Sequence, residues 1–299
     1  MVPMKRIVAA TDLSSYAARA ETRAAMLVRE LDSESLDLLH VLAASPLEAL
    51  RHLLMESSQE MERRLVDSAR EQLEDIGRRL SEKHRIPPVN SCVKIGRTHA
   101  EISAYADAVD AGLVVVGAHG GGSIRELLLG ATAVKVLRKI SRPLLIVKRE
   151  PQGAYRRVLA PVDFSESSLQ AVALALRIAP QANVTLMHAF EVPFEGKMHF
   201  AGVSEDIIHR YRTQARQEAN QEMRKLVSKC GVDQGRISHI VEHGYAPAVI
   251  LEKAEQIGPD LIVMGKHGQS EWEDALLGSI TKHVIHEADC DVLVVNPGK

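Results

Sequence analysis

The sequence is poor in aromatic residues and cysteine, and it has no long hydrophobic run. Phe, Trp and Tyr make up only 3% of the 299 residues, so aliphatic side chains must fill the core, which suits parallel sheets covered by helices. The three cysteines form no CxxC pair and cannot all be bridged, which fits a reducing compartment. No apolar run is long enough for a secretory signal or a bilayer span. We therefore expect a cytoplasmic protein without membrane contact.

The sequence also lacks an excess of charge of one sign. Its 37 basic and 39 acidic residues leave a formal net charge of −2, whereas a protein that binds nucleic acid normally carries a basic face. We therefore predict that nucleic acid is not a partner. The length exceeds the size at which a single hydrophobic core usually stops growing, so two domains are expected.

The chain contains the same pattern twice. RIVAATDLS recurs as RVLAPVDFS, LDLLHVL as VTLMHAF, and LVVVGAHG as LIVMGKHG. Asp12 and Asp163 are 151 residues apart, and every later pair of landmarks is 148 apart. One early three-residue length change therefore separates two units that are otherwise in register, as after a duplication. We predict domains at 1–149 and 155–299, joined by a Pro- and Gly-containing linker within 148–156.

Within each unit, short β-branched runs alternate with helical stretches. Such alternation implies right-handed crossovers and a parallel sheet. The predicted fold is α/β: two tandem doubly wound domains, each a five-stranded parallel sheet with helices on both faces. The charged stretches 48–85 and 204–229 are typical of helices with one solvated face and one core face; they could also dock a partner, and the sequence does not decide between the two. In the first unit the predicted strands are KRIVAATD, LDLLHVL, NSCVKIG, LVVVG and PLLIVK, and the predicted helices are 15–30, 47–84, 99–110 and 131–140.

A glycine-rich segment follows the fourth strand of the second unit. It reads Gly265-x2-Gly268-x9-Gly278-Ser279 and runs directly into a helical pattern. Glycines at the start allow close approach of the backbone to a ligand. Gly278 and Ser279 place unpaired amides and a hydroxyl at a helix start, where the dipole attracts phosphate. Any single glycine is most often a turn or cap residue, but the whole arrangement, repeated in register, indicates a phosphate site at the carboxyl ends of the strands.

At these residues the chain resembles the universal stress protein family, in tandem form and over almost its whole length. Members of that family that bind ATP carry G-x2-G-x9-G-[ST] after the fourth strand and an Asp at the end of the first. The resemblance implies an adenine-nucleotide site, with ATP favoured and possibly with Mg²⁺, in the second unit. The residues it points to are Pro161, Val162, Asp163, Ala189, Met264, Gly265, His267, Gly268, Gly278, Ser279, Ile280 and Thr281.

The first unit departs from the family pattern. Ala131 stands where Ser279 stands in the second unit, and Ala10 stands where Pro161 stands. The missing hydroxyl removes one hydrogen bond to phosphate, worth about 1–3 kcal/mol when the acceptor is charged, although Thr132 could partly compensate. We predict a weaker or vestigial first site. Its residues would be Thr11, Asp12, Val41, Gly117, Gly120, Gly130 and Thr132.

Several residues near the predicted sites have two interpretations. Asp12 and Asp163 could bind ribose or Mg²⁺, or each could cap the following helix, and the alternatives are about equal. Lys266 could neutralise phosphate, although a solvated loop lysine is favoured. His119 and His267 could pack under the glycine loop or bind the ligand, and the sequence does not rank these roles.

The sequence favours a regulatory nucleotide-binding protein over the alternatives. No spacing of His, Cys and carboxylates completes a metal site, so no metal is expected. No general base, arginine finger or carboxylate pair marks a dedicated enzyme, although slow ATP hydrolysis would be compatible. The second hypothesis is an interaction scaffold of the same fold without nucleotide. Each unit ends in an apolar strand whose edge needs pairing, and the resemblance implies an internal pseudo-dimer and possibly a homodimer, with an unknown protein partner.

Overall fold

The computed structural model of the chain describes residues 4–44, 58–120, 130–230, 234–266 and 277–296. These residues form two compact units. Unit 1 comprises 1–154 together with 291–299, and unit 2 comprises 155–290. Both are open α/β sheets with helices between successive strands, so the predicted α/β class with two tandem domains is confirmed. The predicted five parallel strands per domain are instead six and four among the described residues, because the last strand of the chain joins unit 1 and is antiparallel there.

Unit 1 contains six strands in the order β3-β2-β1-β4-β5-β10, where β10 comes from the end of the described chain. The first five are mutually parallel. β10 is antiparallel to β5, with Val292 opposite Ile146 and Val294 opposite Leu144. All four of these side chains are at most 1% exposed, so the pairing removes an apolar edge from solvent. The strands are β1 (Arg6–Thr11), β2 (Ser35–Ala43), β3 (Asn90–Gly96), β4 (Leu113–Gly117), β5 (Leu144–Val147) and β10 (Asp291–Val295).

The strands of unit 2 repeat the parallel arrangement in the order β9-β6-β7-β8. β6 is therefore central, as β1 is in unit 1, and its carboxyl end lies between those of β7 and β9. A ligand site at the carboxyl edge is expected beside such a central strand. The strands are β6 (Arg157–Pro161), β7 (Asn183–Phe190), β8 (Ile237–His243) and β9 (Leu261–Gly265).

The helices alternate with the strands in both units. The two longest, α2 and α7, follow the second strand of their units and bury one face each, through residues such as Ala69 and Leu73 or Ala219 and Met223. This matches the amphipathic pattern predicted for the charged stretches. Unit 1 has α1 (Ala17–Glu30), α2 (Ser58–His84), α3 (Thr98–Ala108) and α4 (Ala131–Lys139); unit 2 has α5 (Glu166–Ile178), α6 (Glu195–Phe200), α7 (Glu205–Lys229), α8 (Ala246–Ile257) and α9 (Ser279–Glu287).

Candidate nucleotide site

The turn after β6 is built around Asp163. Its Oδ1 accepts hydrogen bonds from the Ser165 backbone N at 3.0 Å and from the Ser165 Oγ at 2.6 Å. Ser165 Oγ in turn accepts from the Ser168 backbone N at 3.2 Å and so caps α5. Of the two interpretations of Asp163, the one in which it caps the helix itself is wrong: Ser165 is the cap, and Asp163 orients it. Phe164, between them, has a left-handed φ of 63°.

His188, on the neighbouring strand β7, fixes the same turn from the other side. Its Nδ1–H donates to the Val162 carbonyl oxygen at 2.8 Å, and its ring lies 4.5 Å from that of Phe164. In unit 1, His40 donates to the Thr11 carbonyl at 2.9 Å in the same way. In the sequence these histidines mark the register of the repeat. Their recurrence within LDLLHVL and VTLMHAF is the signal that they have the same structural role in both units.

Gly265, at the end of β9, lies against the first turn of α5. A Cβ at this position would be only 2.3 Å from Ser167 Oγ and 3.0 Å from Ser167 Cβ. The glycine is therefore required by close packing of strand and helix at the carboxyl edge. Ser167 is 6% exposed, and its Oγ has no hydrogen-bond partner among the residues that the structure describes.

The start of α9 is tied to the end of β9 by two hydrogen bonds. The Gly278 backbone N donates to the Lys266 carbonyl at 3.1 Å, and Thr281 Oγ1 donates to the Gly265 carbonyl at 2.9 Å. These bonds hold the first amides of α9, which begins at Ser279, beside the strand's carboxyl end. Lys266 is only 3% exposed, so the favoured interpretation of a solvated loop lysine is wrong.

The remaining predicted residues of unit 2 occupy the same edge in different environments. Pro161, Val162 and Met264 are buried, and Ala189 is half-buried. Ser279 is exposed, and Ile280 is 37% exposed. His267 and Gly268 lie outside the described residues, so their assignment remains a prediction.

The corresponding turn of unit 1 has the same construction. Asp12 Oδ1 accepts from the Ser14 backbone N at 3.1 Å and from its Oγ at 2.5 Å, while Ser14 Oγ accepts from Ala17 N at 3.2 Å. As in unit 2, the serine binds the helix start and the aspartate orients it. Leu13 between them has φ 64°. A Cβ on Gly120 would be 2.6 Å from Asp12 Oδ2, so the structure brings the predicted aspartate and glycine together.

The other predicted residues of unit 1 surround this turn. Gly130 N donates to the Ala118 carbonyl at 2.7 Å, which holds the start of α4 at the end of β4. Val41 is 8% exposed, Gly117 is half-buried and Thr132 is exposed. His119 is half-buried, with its ring centroid 6.3 Å from that of Tyr16. His267, its counterpart, cannot be compared, because it lies outside the described residues.

A buried polar pair distinguishes unit 1 from unit 2. Thr11 Oγ1 donates to Glu21 Oε1 at 2.5 Å, and Glu21 is 4% exposed. Burial raises the pKa of Glu21, and the Thr11 hydrogen bond lowers it by a smaller amount. The positions that match these two in the repeat are Val162 and Val172. The first unit thus has a carboxyl group beneath the turn at which the second has an apolar contact.

Metal-ligating clusters and membrane-spanning helices would indicate other functions. Within the described ranges there is no group of three or more His, Cys, Asp or Glu side chains placed to hold a metal ion. His243 Nε2 lies 2.8 Å from a Glu195 carboxylate oxygen, and His283 Nε2 lies 3.0 Å from a Glu287 one. No helix in the described ranges is both long and apolar enough to cross a bilayer.

The repeated α/β units, with Gly120 against Asp12 in one and a helix start bonded to the carboxyl end of β9 in the other, define a class of tandem doubly wound α/β proteins. Comparison with known sequences identifies the family. The sequence model of the universal stress protein family matches the chain twice, at residues 3–148 and 154–296. The chain therefore belongs to the universal stress protein family, in tandem form.

Individual relatives agree with this assignment. Universal stress protein MJ0531 of Methanocaldococcus jannaschii is 34% identical over 154 residues, which is 50% of this chain and 88% of that protein. A universal stress protein of Mycolicibacterium smegmatis is 25% identical over 299 residues, covering 95% of each chain. The crystal structure of a universal stress protein from Archaeoglobus fulgidus covers 99% of both chains with a TM-score of 0.72 at 20% identity. That last likeness supports the fold of the whole tandem chain.

Proposed function

We propose that this chain is a cytoplasmic stress-response regulator that binds an adenine nucleotide, with ATP favoured, mainly in unit 2. The observation that carries the proposal is the start of α9. Gly278 and Thr281 attach it to the end of β9, and Asp163 builds the adjoining turn at the carboxyl end of β6. Unpaired helix amides at the carboxyl edge of a parallel sheet favour a phosphate group.

The nucleotide base would lie over the ends of β6 and β7. Val162 N is bonded to the Met187 carbonyl at 2.7 Å, and its own carbonyl accepts from His188. These contacts preorganise the backbone of the turn, so binding would require little ordering of the edge. Mg²⁺ would be held by the phosphates, with Asp163 as the nearby carboxylate that could join it.

The difference between the units supports unequal binding. Thr281 bonds the end of β9, whereas its counterpart in the repeat, Ala133, has no hydroxyl. Ser279 is likewise replaced by Ala131. The start of α4 therefore has one hydroxyl, on Thr132, where the start of α9 has two, and Glu21 adds a buried carboxyl group below the first turn. Occupancy of unit 2 alone would make the protein an asymmetric sensor.

We propose a regulatory rather than a catalytic role, because Asp163 and Asp12, the carboxylates that the described residues place in these two turns, both orient serines. The alternative is a scaffold of the same fold that binds another protein without nucleotide. A homodimer of the whole chain is compatible with either function.

The test is calorimetric titration of ATP with Mg²⁺ into nucleotide-stripped protein. Gly278→Asp would put a carboxylate at the start of α9, and Gly130→Asp is the matched change at the start of α4. We expect saturable binding that Gly278→Asp removes and Gly130→Asp retains. Absence of binding in the unsubstituted protein would reject the nucleotide proposal and favour the scaffold, and equal loss in both variants would reject the asymmetry.

A further inference from the structure

Unit 2 contains a second concave surface, which the nucleotide site does not use. It is a groove of about 860 Å³ between one face of α7 and the ends of β7 and β8. We call it the α7 groove. Its lining combines arginines, histidines and uncharged hydrogen-bonding side chains with one aromatic ring, and no carboxylate is among the lining residues. They are Phe190, His209, Arg212, Thr213, Arg216, Gln217, Asn220, Gln221, Arg224 and His243.

The three arginines of the α7 groove follow one stripe of a single helix. Arg212 and Arg216 are one turn apart, which is about 6 Å along the axis, and Arg224 lies about 12 Å beyond. Like charges at this spacing repel one another and destabilise an isolated helix. The stripe is therefore a cost to folding unless anions offset it.

Carboxylates from outside the lining fix the first part of the stripe. Glu195 forms a close hydrogen-bonded ion pair with Arg212, and its other oxygen lies 2.8 Å from His243 Nε2. The hydrogen bond from Arg212 lowers the pKa of Glu195, so this carboxylate stays charged and holds both cations in place. Glu242 lies 3.8 Å from Arg216. The basic groups at this end are thereby positioned before any ligand arrives.

The far end of the stripe differs. Arg224 is exposed and has no ion pair or hydrogen bond within the part of the chain that the structure describes. Gln217 and Gln221 lie on the same face and are exposed as well. The groove thus offers positioned cations at one end, an uncompensated guanidinium at the other, and amide donors between them.

The corresponding helix of unit 1 does not repeat this stripe. The buried residues Ala69 and Leu73 of α2 match Ala219 and Met223 of α7, so the offset within these two helices is 150 residues, against 148 at the strands on either side. In that alignment Glu62 and Glu74 stand at the places of Arg212 and Arg224. The basic stripe is therefore specific to unit 2, and a generally charged surface of the repeat does not account for it.

We propose that the α7 groove binds a small anion that carries two or more linked phosphate groups, separately from the nucleotide of the glycine loop. Guanidinium groups match phosphate oxygens with paired hydrogen bonds, and cations about 6 and 12 Å apart suit a chain of phosphates better than a single one. The site rests on residues of α7, β7 and β8, so it does not depend on the proposed function.

The experiment titrates inorganic tripolyphosphate into the full chain by calorimetry, with orthophosphate as the comparison. Arg216→Gln/Arg224→Gln removes two lining charges. Arg210→Gln/Lys225→Gln is the matched control, because it removes two charges from the same helix outside the groove: Arg210 bonds the Asp206 carbonyl, and Lys225 pairs with Glu222. Gly278→Asp blocks the glycine loop and so separates the two sites.

We expect Gly278→Asp to retain tripolyphosphate binding at the α7 groove, and orthophosphate to bind more weakly. Arg216→Gln/Arg224→Gln should weaken tripolyphosphate binding about tenfold or more, while the control double variant stays within about twofold, as for distant surface charges. Three results would each overturn the proposal: no saturable binding to the unsubstituted chain, equal weakening in both double variants, or binding that only Gly278→Asp removes.

Discussion

The close approach of β9 to α5 allows a quantitative test through Gly265. Replacement by Ala puts a Cβ 2.3 Å from Ser167 Oγ and 3.0 Å from Ser167 Cβ. Overpacking of this kind destabilises the folded state by about 1–3 kcal/mol. Ala offsets about 0.5–1 kcal/mol of this, because it loses less backbone entropy than Gly when the strand folds. We expect Gly265→Ala to lower the free energy of unfolding by about 1–2 kcal/mol and Tm by roughly 2–8 °C.

A double-mutant cycle isolates the contact responsible. Ser167→Ala by itself should change stability by less than about 0.5 kcal/mol, because the hydroxyl has no partner among the described residues and is not lost from a hydrogen bond. In the double variant the nearest atom is at 3.0 Å instead of 2.3 Å, so about 1 kcal/mol of the cost should be recovered as coupling.

The assay is thermal and urea unfolding of all four proteins, with nucleotide absent. Gly196→Ala is the control, because a Cβ there would meet nothing within 4 Å. The reasoning fails if Gly265→Ala is as stable as the unsubstituted chain, or if its effect and that of Ser167→Ala simply add. In either case the glycine would not be explained by helix packing.

Two further substitutions test unit 1. Glu21 has a raised folded-state pKa, so the stabilisation that it gives the folded chain is complete below the unfolded pKa near 4.5 and is lost as pH rises through the folded pKa. In urea unfolding between pH 4 and 8, the free energy of unfolding of Glu21→Gln should therefore rise relative to that of the unsubstituted chain. A constant difference across that range would contradict the assignment. Asp291 is 1% exposed, accepts hydrogen bonds from the Lys148 and Arg149 amides and pairs with buried Arg23 at 3.6 Å. Asp291→Ala should lower the free energy of unfolding by about 3–5 kcal/mol, whereas Asp32→Asn, in an exposed turn with φ 51°, should change it little. Similar losses in the two variants would refute the buried pair.

Strand positions were the most predictable part of the structure. LVVVG is β4, Leu113–Gly117, and NSCVKIG is β3, Asn90–Gly96, as expected. β4 is buried and is a nearly continuous β-branched run, and this signal is local; β3 is an edge strand without a fully buried residue. Asp12 and Gly120 also meet at the carboxyl edge of unit 1, because parallel strands bring their ends together. The role of each predicted residue toward a ligand remains a prediction.

What escaped prediction depends on contacts distant in sequence. The burial of Lys266 could not be predicted from the segment MGKHG, because its composition is that of a solvated turn. The choice of Ser165 over Asp163 as helix cap depends on the left-handed φ of Phe164, which a non-glycine residue seldom adopts. The partner of β5 could not be read either, since an apolar edge indicates that pairing is needed but does not identify the strand that provides it.

The position of β10 has a consequence for synthesis of the protein. Unit 1 completes its sheet with Asp291–Val295, and these residues leave the ribosome only after the whole of unit 2. At roughly 5–20 residues per second, β5 waits on the order of ten to thirty seconds with its apolar edge unpaired. During that interval the nascent chain presents Leu144 and Ile146 to any other strand, including β5 of a neighbouring nascent chain on the same message. The order of translation thus makes the first unit the later of the two to be finished, and it makes chaperone access to β5 most valuable while unit 2 is being made.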